Sequence, residues 1–440
     1  MSREMLDTCA AALAAAKKAG AKHAKATLAK ARFVDIQYRE RKPETIKEAT
    51  TQGLYVEIYV DGRYSAQSTS DLRPAAIEGF IANAVAMTRL LAEDPYRSLP
   101  DPRYYQGRSS ADLGVFDPAG GALTPEQRHE LTRAIEDAAL AAGGPKVISV
   151  TAGTSDQLYE MATLSTNGLT GETKSTDFSA GGQMTLQDEG DRRPNGYYYV
   201  STRLRRDILD PRTIGQRTAQ RARDLLGAKK IPTATLPVIV ENQGVGRLLG
   251  GLVSAMSGGS IQQKRSFLAD QQGRKIASEQ LTLIDDPLLL GGLGSAPFDS
   301  DGFPARQRTL IERGVLKEFF VDWYYGRKLG WEPTTGRSSN LIIPPGRRSV
   351  AEIMKDLGRG IVVTSFLGGN SNSTTGDTSV GILGYLFENG VRTQPIAEMN
   401  VADNHLKFWQ KLAEVANDPW IYDSWRLPSL VFTDVVVSGV

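Results

Sequence analysis

The stretch Leu54–Ala66, LYVEIYVDGRYSA, carries the strongest structural signal of the chain. Hydrophobic and polar residues alternate on both sides of the pair Asp61-Gly62. An Asp-Gly pair between two alternating runs is typical of a β-hairpin, because both residues accept the positive φ angles that a tight turn requires. The stretch therefore predicts two antiparallel strands with one buried face.

The segments around this hairpin predict helices and a further strand. Pro74–Leu91 has the hydrophobic spacing of an amphipathic helix, and Arg32–Arg39 alternates as a strand. Residues 4–31 are rich in alanine and are predicted to form an amphipathic helix, or a helix pair broken near Gly20. Residues 1–95 are accordingly expected to form an N-terminal α+β domain.

The rest of the chain is predicted to contain a connector and two domains. Residues 96–122 are rich in Pro, Gly, Tyr and Arg and are expected to be the connector. Residues 123–234 combine helices with strands, among them a hairpin turning at Asn167-Gly168, and predict a central antiparallel sheet with helices. Residues 235–440 predict a β-rich domain resembling a sandwich or a barrel. The fold class is α+β.

The supply of metal-binding side chains is small. In 440 residues there are three histidines and one cysteine, namely His23, His129, His405 and Cys9. Zinc, iron and copper sites use mainly imidazole and thiolate ligands, and no two of these residues stand at a ligand spacing. We interpret His405 as a residue at a helix start or in the core. We expect no conventional metal chemistry or histidine-dependent chemistry from this chain alone.

Charge and hydropathy make nucleic acid and membranes unlikely partners. The net charge is 52 − 50 = +2, which is too balanced for an obligate nucleic-acid binder or a membrane-surface protein. Five arginines between residues 192 and 206 flank Tyr197–Tyr199 and could hold single-stranded nucleic acid, although an exposed hairpin explains them better. No apolar run is long enough to span a membrane, and the N-terminal segment lacks the apolar core of a signal peptide. With one unpaired cysteine, a cytoplasmic protein is expected.

Two further motifs suggest ligands but have simpler interpretations. Gly244–Gly250 follows a predicted strand and opens a predicted helix, yet its GxGxxxG spacing is one residue longer than that of a dinucleotide loop. Helix packing through small residues explains it better. Asp299–Gly302 could begin a calcium loop, but the closing glutamate is missing, and turn formation by Asp and Gly explains the same residues.

Three blocks of the sequence resemble the TldD/TldE (PmbA) family. They are residues 53–72, residues 281–330 and residues 368–404, and weaker resemblance covers nearly all of the remaining chain. The resemblance implies a cytoplasmic metallopeptidase built from two homologous subunits, which trims or degrades peptides held as an extended strand. It also implies that TldD-like subunits bind one zinc-like metal through a helical His-Glu-x-x-x-His motif and a cysteine near the C-terminus.

This chain departs from the metal-binding pattern of that family. The two histidines correspond to Asn242 and Arg247, and the glutamate corresponds to Gln243. The region of the cysteine is 417–430, which contains no thiol. Asn and Arg cannot replace imidazole as zinc ligands, and a glutamine cannot accept a proton from water. Glu241, one residue before the motif, would be a poor metal site by itself.

The resemblance therefore implies a TldE-like subunit without metal or catalytic residues of its own. Its expected partner is a TldD-like homologous subunit that holds the zinc, and its expected ligands are peptides. The strand edge that would bind them is predicted at Gly368-Gly369-Asn370 and at Thr375-Gly376-Asp377, although tight turns explain these residues nearly as well. The alternative is a non-catalytic homodimer that binds peptides or a protein. The sequence does not decide whether the family's older label, modulator of DNA gyrase, has a direct physical basis.

Overall fold

The first sheet combines strands from the N-terminal and the central parts of the chain. The computed structural model describes residues 3–120 and 123–440. The sheet has the order β3-β2-β1-β4-β5-β6 and is antiparallel throughout. Its strands are β1 (His23–Arg39), β2 (Lys42–Val60), β3 (Arg63–Thr69), β4 (Val147–Ser165), β5 (Thr170–Leu186) and β6 (Asn195–Thr202).

The predicted turns join the strands of this sheet as expected. Asp61-Gly62 connects β2 to β3, and Asn167-Gly168 connects β4 to β5. The helices packed against the sheet are α1 (Arg3–Lys18), α2 (Pro74–Thr88), α3 (Pro125–Gly143) and α4 (Pro211–Arg223). Three of them begin with proline, which lacks the N–H that the first helical turn leaves unpaired.

The helix predicted for residues 4–31 is wrong in its second half. Helix α1 ends at Lys18, and β1 begins at His23. The strand is central, paired with β2 on one side and β4 on the other, and α1 covers the buried side chains of Ala24, Ala26 and Leu28. These long-range contacts outweigh the helical preference of an alanine-rich segment.

The first sheet also crosses a predicted domain boundary. Pairing of β1 with β4 joins segment 1–95 to segment 123–234 within one sheet. The predicted connector, 96–122, runs between them with a short 3-10 turn at Pro102–Tyr105. Residues 1–2, at the start of the first predicted domain, and residues 121–122, at the end of the connector, lie outside the described residues.

The C-terminal part of the chain contains a small and a large sheet. The small sheet has the order β10-β9-β8-β11, and the large one has the order β14-β13-β12-β7-β16-β15. The strands are β7 (Ala234–Val240), β8 (Leu283–Asp285), β9 (Arg308–Glu312), β10 (Val315–Leu316), β11 (Leu341–Ile342), β12 (Arg359–Ser371), β13 (Asp377–Glu388), β14 (Val391–Asn404), β15 (Leu412–Val415) and β16 (Leu430–Val437). The helices are α5 (Asn242–Ala255), α6 (Gly258–Gln262), α7 (Trp323–Leu329), α8 (Val350–Leu357) and α9 (His405–Phe408).

The α+β class is confirmed, whereas the barrel-like alternative for residues 235–440 is wrong. The large sheet is open, with β14 and β15 at its edges, and the described residues form no closed barrel. It is mixed, because β7 and β12 run parallel while the other pairs are antiparallel. The largest hydrophobic core among the described residues lies around this sheet and α5. Among the residues described, no helix is long and apolar enough to cross a membrane.

Candidate functional site

The start of helix α5 is the centre of the candidate site. Strand β7 ends at Val240, and α5 begins at Asn242, with Glu241 as its N-cap residue. Because β7 lies between β12 and β16, the first turn of α5 stands at the middle of the large sheet. The three positions singled out from the sequence, Asn242, Gln243 and Arg247, therefore lie within two turns of helix.

Asn242 is held in place by hydrogen bonds to neighbouring residues of the same chain. Its Nδ2 donates to the backbone oxygen of Asp418 (2.8 Å), and its Oδ1 accepts from the backbone N–H of Gln243 (2.7 Å). The backbone N–H of Asn242 donates to Ser429 Oγ, which donates in turn to the Asp418 carboxylate. The amide nitrogen and the backbone N–H of Asn242 thus fix the helix start to segment 417–430, while the amide oxygen accepts within the helix itself. The structure brings together two regions that the sequence separates by about 180 residues.

Arg247 reaches across to strand β12. Its Nη2 donates to the carbonyl oxygens of Gly368 and Gly369, both at 3.1 Å. These two glycines have positive φ angles (55° and 97°) and form a bulge where the pairing of β12 with β13 shifts register. The predicted metal-motif position and the predicted peptide-binding glycines are therefore direct neighbours.

The second predicted peptide-binding segment makes different contacts. Thr375 Oγ1 donates to the Asp377 carboxylate, and Asn404 Nδ2 donates to the carbonyl oxygen of Thr375 (2.9 Å). Gly376 has a φ of 83°, and its carbonyl oxygen accepts from the backbone N–H of His405. The segment is a closed turn tied to the end of β14. Its role in peptide binding stays a prediction.

Two adjoining cavities surround the start of α5. The α5 cavity, of about 400 Å³, lies between α5, β12 and the aromatic side chains of Tyr197, Tyr199, Trp420 and Trp425. The Glu241 cavity, of about 480 Å³, is next to it. The residues that line both cavities are Tyr197, Arg221, Asn242, Gln243, Thr364, Ser365 and Trp420. We call the two together the groove. A third cavity of about 920 Å³ adjoins the α5 cavity at Tyr199 and Trp425.

Sequence reasoning missed most of these walls. Tyr197 and Tyr199 are two residues apart on β6, so they point to the same face, and they are 51% and 46% exposed. From that spacing the sequence could have predicted that the two tyrosines line one face of a strand. Arg221, on α4, gave no signal, because its position beside Glu241 depends on how α4 packs next to the large sheet.

Glu241 and Arg221 form an ion pair in the groove. Arg221 Nη2 lies 2.9 Å from Glu241 Oε2, and both side chains are largely withdrawn from solvent. Burial raises the pKa of the Glu241 carboxyl, and the neighbouring Arg221 opposes that rise. The Glu241 carboxylate is thus already paired with Arg221 of the same chain.

His405 and Ser371 are close neighbours but do not form a nucleophile and base. Trp409 donates its indole N–H to His405 Nδ1 (3.2 Å), and His405 Nε2 lies 2.9 Å from Ser371 Oγ. Because an indole nitrogen can only donate, Nδ1 must be the unprotonated nitrogen, and Nε2 carries the hydrogen. Nε2 therefore donates to Ser371 and cannot take its proton. The interpretation of His405 as a buried residue at a helix start is confirmed.

The other sequence motifs are explained by internal contacts. Arg203 donates to the carbonyl oxygens of Thr176, Gly292 and Leu293. The Asp299–Gly302 loop is an Asp-capped turn, in which Asp299 Oδ1 accepts from two backbone N–H groups. Lys25 Nζ donates to the carbonyl oxygen of Ser300 at 2.6 Å, so a protein cation lies beside this loop. Across residues 3–120 and 123–440, no three His, Cys, Asp or Glu side chains are grouped so as to hold a metal ion.

Family models match two parts of the chain. The one described as "PmbA/TldA metallopeptidase central domain" matches residues 119–226, and "PmbA/TldA metallopeptidase C-terminal domain" matches residues 233–439. Together they cover most of the chain, including every wall of the groove.

Individual relatives agree with these models over the full length. Metalloprotease PmbA of Escherichia coli O157:H7 is 29% identical, over 97% of this chain and 94% of that protein. A Bacteroides thetaiotaomicron structure, named as a candidate modulator of DNA gyrase, is 37% identical, with a TM-score of 0.97 and full coverage of both chains. TldE of Thermococcus kodakarensis shares the fold, with 21% identity and a TM-score of 0.87 over 98% of this chain and 100% of that one. This chain belongs to the PmbA/TldD metallopeptidase family.

Proposed function

We propose that this chain is the subunit without a metal of its own in a two-subunit peptidase of the TldD/TldE type. In this proposal a TldD-like homologous subunit supplies the zinc and the catalytic residues, and the pair trims or degrades extended peptides. The observation that supports it most is the pair of contacts made by Asn242 and Arg247. Both side chains bind parts of the chain itself at the positions where the family motif places histidines.

The residues at this site fit a zinc ion poorly. Asn242 offers an amide oxygen, a weak zinc ligand, and that oxygen already accepts from Gln243 N–H. Arg247 has donors only and keeps its positive charge. Of the carboxylates at the helix start, Glu241 is paired with Arg221, and that of Asp418 accepts from Ser429 Oγ. Exchanging these contacts for a metal would leave Arg221 and the Asp418 segment without their partners, which costs free energy in a partly buried site.

The peptide-binding side of the proposal rests on an incomplete strand pairing. Strand β7 pairs with β12 only through Ile361–Val363, because β7 ends at Val240. Along Thr364–Gly369, that edge of β12 has no neighbouring strand in the part of the chain that the structure describes. An extended peptide can complete such an edge through backbone hydrogen bonds, which are insensitive to side-chain identity. The α5 cavity lies along this edge.

The test is to produce this chain alone, a TldD-like homologue from the same organism alone, and both together. We expect the mixture to elute as a complex in size-exclusion chromatography and to cleave an unstructured peptide. Elemental analysis of the complex should give one zinc per pair. Replacing the first histidine of the partner's motif should abolish cleavage, whereas Gln243→Ala in this chain should leave the zinc content unchanged.

Three results would contradict the proposal. They are stoichiometric zinc bound by this chain alone, peptide hydrolysis by this chain alone, and failure of the two chains to associate. A stable homodimer that ignores the homologue would favour the non-catalytic peptide- or protein-binding alternative.

A further inference from the structure

One end of the groove carries a positive charge. Arg247 bridges α5 to β12 through its hydrogen bonds to Gly368 and Gly369. On one side of this bridge lies the α5 cavity, which Gly368 lines. On the other side lies a separate cavity of about 400 Å³, lined by Gly369, Gly251 and His405, which we call the Gly251 cavity. Gly246 and Arg247 line both, and we call the Arg247 side chain, which lies where the two cavities meet, the partition.

The partition lies at the end of the open strand edge. The edge begins at Thr364, beyond the last pairing of β12 with β7, and reaches Arg247 at Gly368. Four residue steps of an extended chain span about 13 Å. The carbonyl oxygens of Gly368 and Gly369 already accept hydrogen bonds from the Arg247 guanidinium. They are therefore not free to accept from an added strand. The edge therefore accommodates a short segment and then stops.

The guanidinium at this end retains unused donors. Its Nη2 binds the two glycine carbonyls, and among the described residues neither Nε nor Nη1 has a hydrogen-bond acceptor. Arg247 is exposed and has no carboxylate partner in the described chain, in contrast to Arg221, which is paired with Glu241. Asp423, an acid that lines the α5 cavity, accepts from Ser424 and from the backbone of Trp425.

We propose that the groove binds short peptides by their C-terminal carboxylate, with Arg247 as the residue that recognises it. The peptide lies along Thr364–Gly368 in the direction of β12, continuing the parallel position that β7 vacates, and its carboxylate accepts from an unused N–H group of Arg247. A hydrogen bond from a guanidinium to a carboxylate is charge-assisted and stronger than one between neutral groups. The guanidinium repels an ammonium end.

The aromatic walls suit this occupant. Tyr197, Tyr199 and Trp425 give broad apolar surfaces that accept varied side chains, while the backbone edge fixes the peptide's position. Selectivity is then for the chain end and not for the side-chain sequence. This inference deepens the peptide-binding part of the proposed function and adds a ligand class, the free C-termini of short peptides.

The test uses the isolated chain and two probes that differ in one group. N-acetyl-tetraalanine carries a free carboxylate, and its C-terminal amide has the same length without the charge. We expect calorimetric titration to give an affinity about tenfold higher for the acid, the size expected for a charge-assisted hydrogen bond in a partly exposed site. Arg247→Gln should reduce that ratio to about one, and Arg247→Lys should retain part of it.

Arg212→Gln is the matched control, because Arg212 is an exposed arginine of α4 outside the groove. It should keep the preference for the acid, and circular dichroism should show that all variants are folded. Equal affinity for acid and amide in the unmodified chain would overturn the inference, as would no binding of either probe or a preference that survives Arg247→Gln. Size-exclusion with the TldD-like homologue separates this result from the proposed function, because a chain that pairs without selecting the acid contradicts only the inference.

Discussion

Trp409 donates its indole N–H to Nδ1 of His405 across 3.2 Å, and both side chains are almost completely buried. This contact fixes the tautomer of the imidazole, and burial lowers the pKa of His405 to about 4. The histidine is thus a neutral part of the core between α5 and the end of β14.

We expect this histidine to make the protein sensitive to mild acid. The unfolded chain binds a proton near pH 6.5, whereas the folded chain binds it only near pH 4. Between these values the unfolded state holds more protons, so stability is lost as the pH falls, by about 3 kcal/mol in all. In thermal melts from pH 7 to pH 4.5, His405→Gln should show a smaller loss than the unmodified chain. A matching reduction in His129→Gln would contradict this assignment.

Asp301 should have the opposite effect on the pH dependence. Burial, and next the charge of Asp299, raise the pKa of Asp301 to about 6. The folded state therefore binds more protons than the unfolded state between about pH 4 and pH 6, and stability falls as the pH rises through this range.

Asp301→Asn removes that charge while keeping an oxygen that can accept from the backbone N–H of Trp323. We expect the variant to be more stable than the unmodified chain at pH 7.5, by about 3 kcal/mol, and nearly equal to it at pH 4. Chemical denaturation at the two pH values measures the difference. Equal stabilisation at both values would show that the charge is not the cause.

Adjacent glycines in α5 should respond in opposite ways to alanine. A Cβ at Gly250 meets nothing within 4 Å, so Gly250→Ala should stabilise the helix by about 0.5–1 kcal/mol through lower backbone entropy in the unfolded chain. A Cβ at Gly251 would lie 2.3 Å from His405 Nε2, so Gly251→Ala should destabilise by about 1–3 kcal/mol. Thermal melts of the two variants compare them directly, and melting shifts of the same sign would contradict this account of α5 packing.

Asn242 should matter for stability through its contacts with Asp418 and Gln243. Asn242→Ala removes the hydrogen bond to the Asp418 carbonyl and the side-chain acceptor for Gln243 N–H, so we expect a loss of about 1–2 kcal/mol. Asn242→Asp keeps an acceptor but places a second carboxylate near Asp418, and it should be no better than alanine. Melting temperatures equal to that of the unmodified chain would mean that these contacts are dispensable.

Local sequence signals predicted local structure well. The turns at Asp61-Gly62 and Asn167-Gly168 and the helices beginning at Pro74, Pro125 and Pro211 are where the residues predict them. These features depend on φ preferences and on missing donors, which act over a few residues. The alanine-rich segment 23–31 was the exception, because its two strand partners and its helical cover come from distant parts of the chain.

The sequence by itself determined the α+β class and the family, and it predicted Asn242, Gln243 and Arg247 as the residues to inspect. Only the tertiary structure decided what those residues contact. It placed segment 417–430 on Asn242 and the bulge of β12 under Arg247, and it brought Tyr197 and Arg221 to the same groove. The physical reason is that side-chain identity fixes the donors and acceptors available, whereas the packing of α4, α5 and the two large sheets fixes which of them meet.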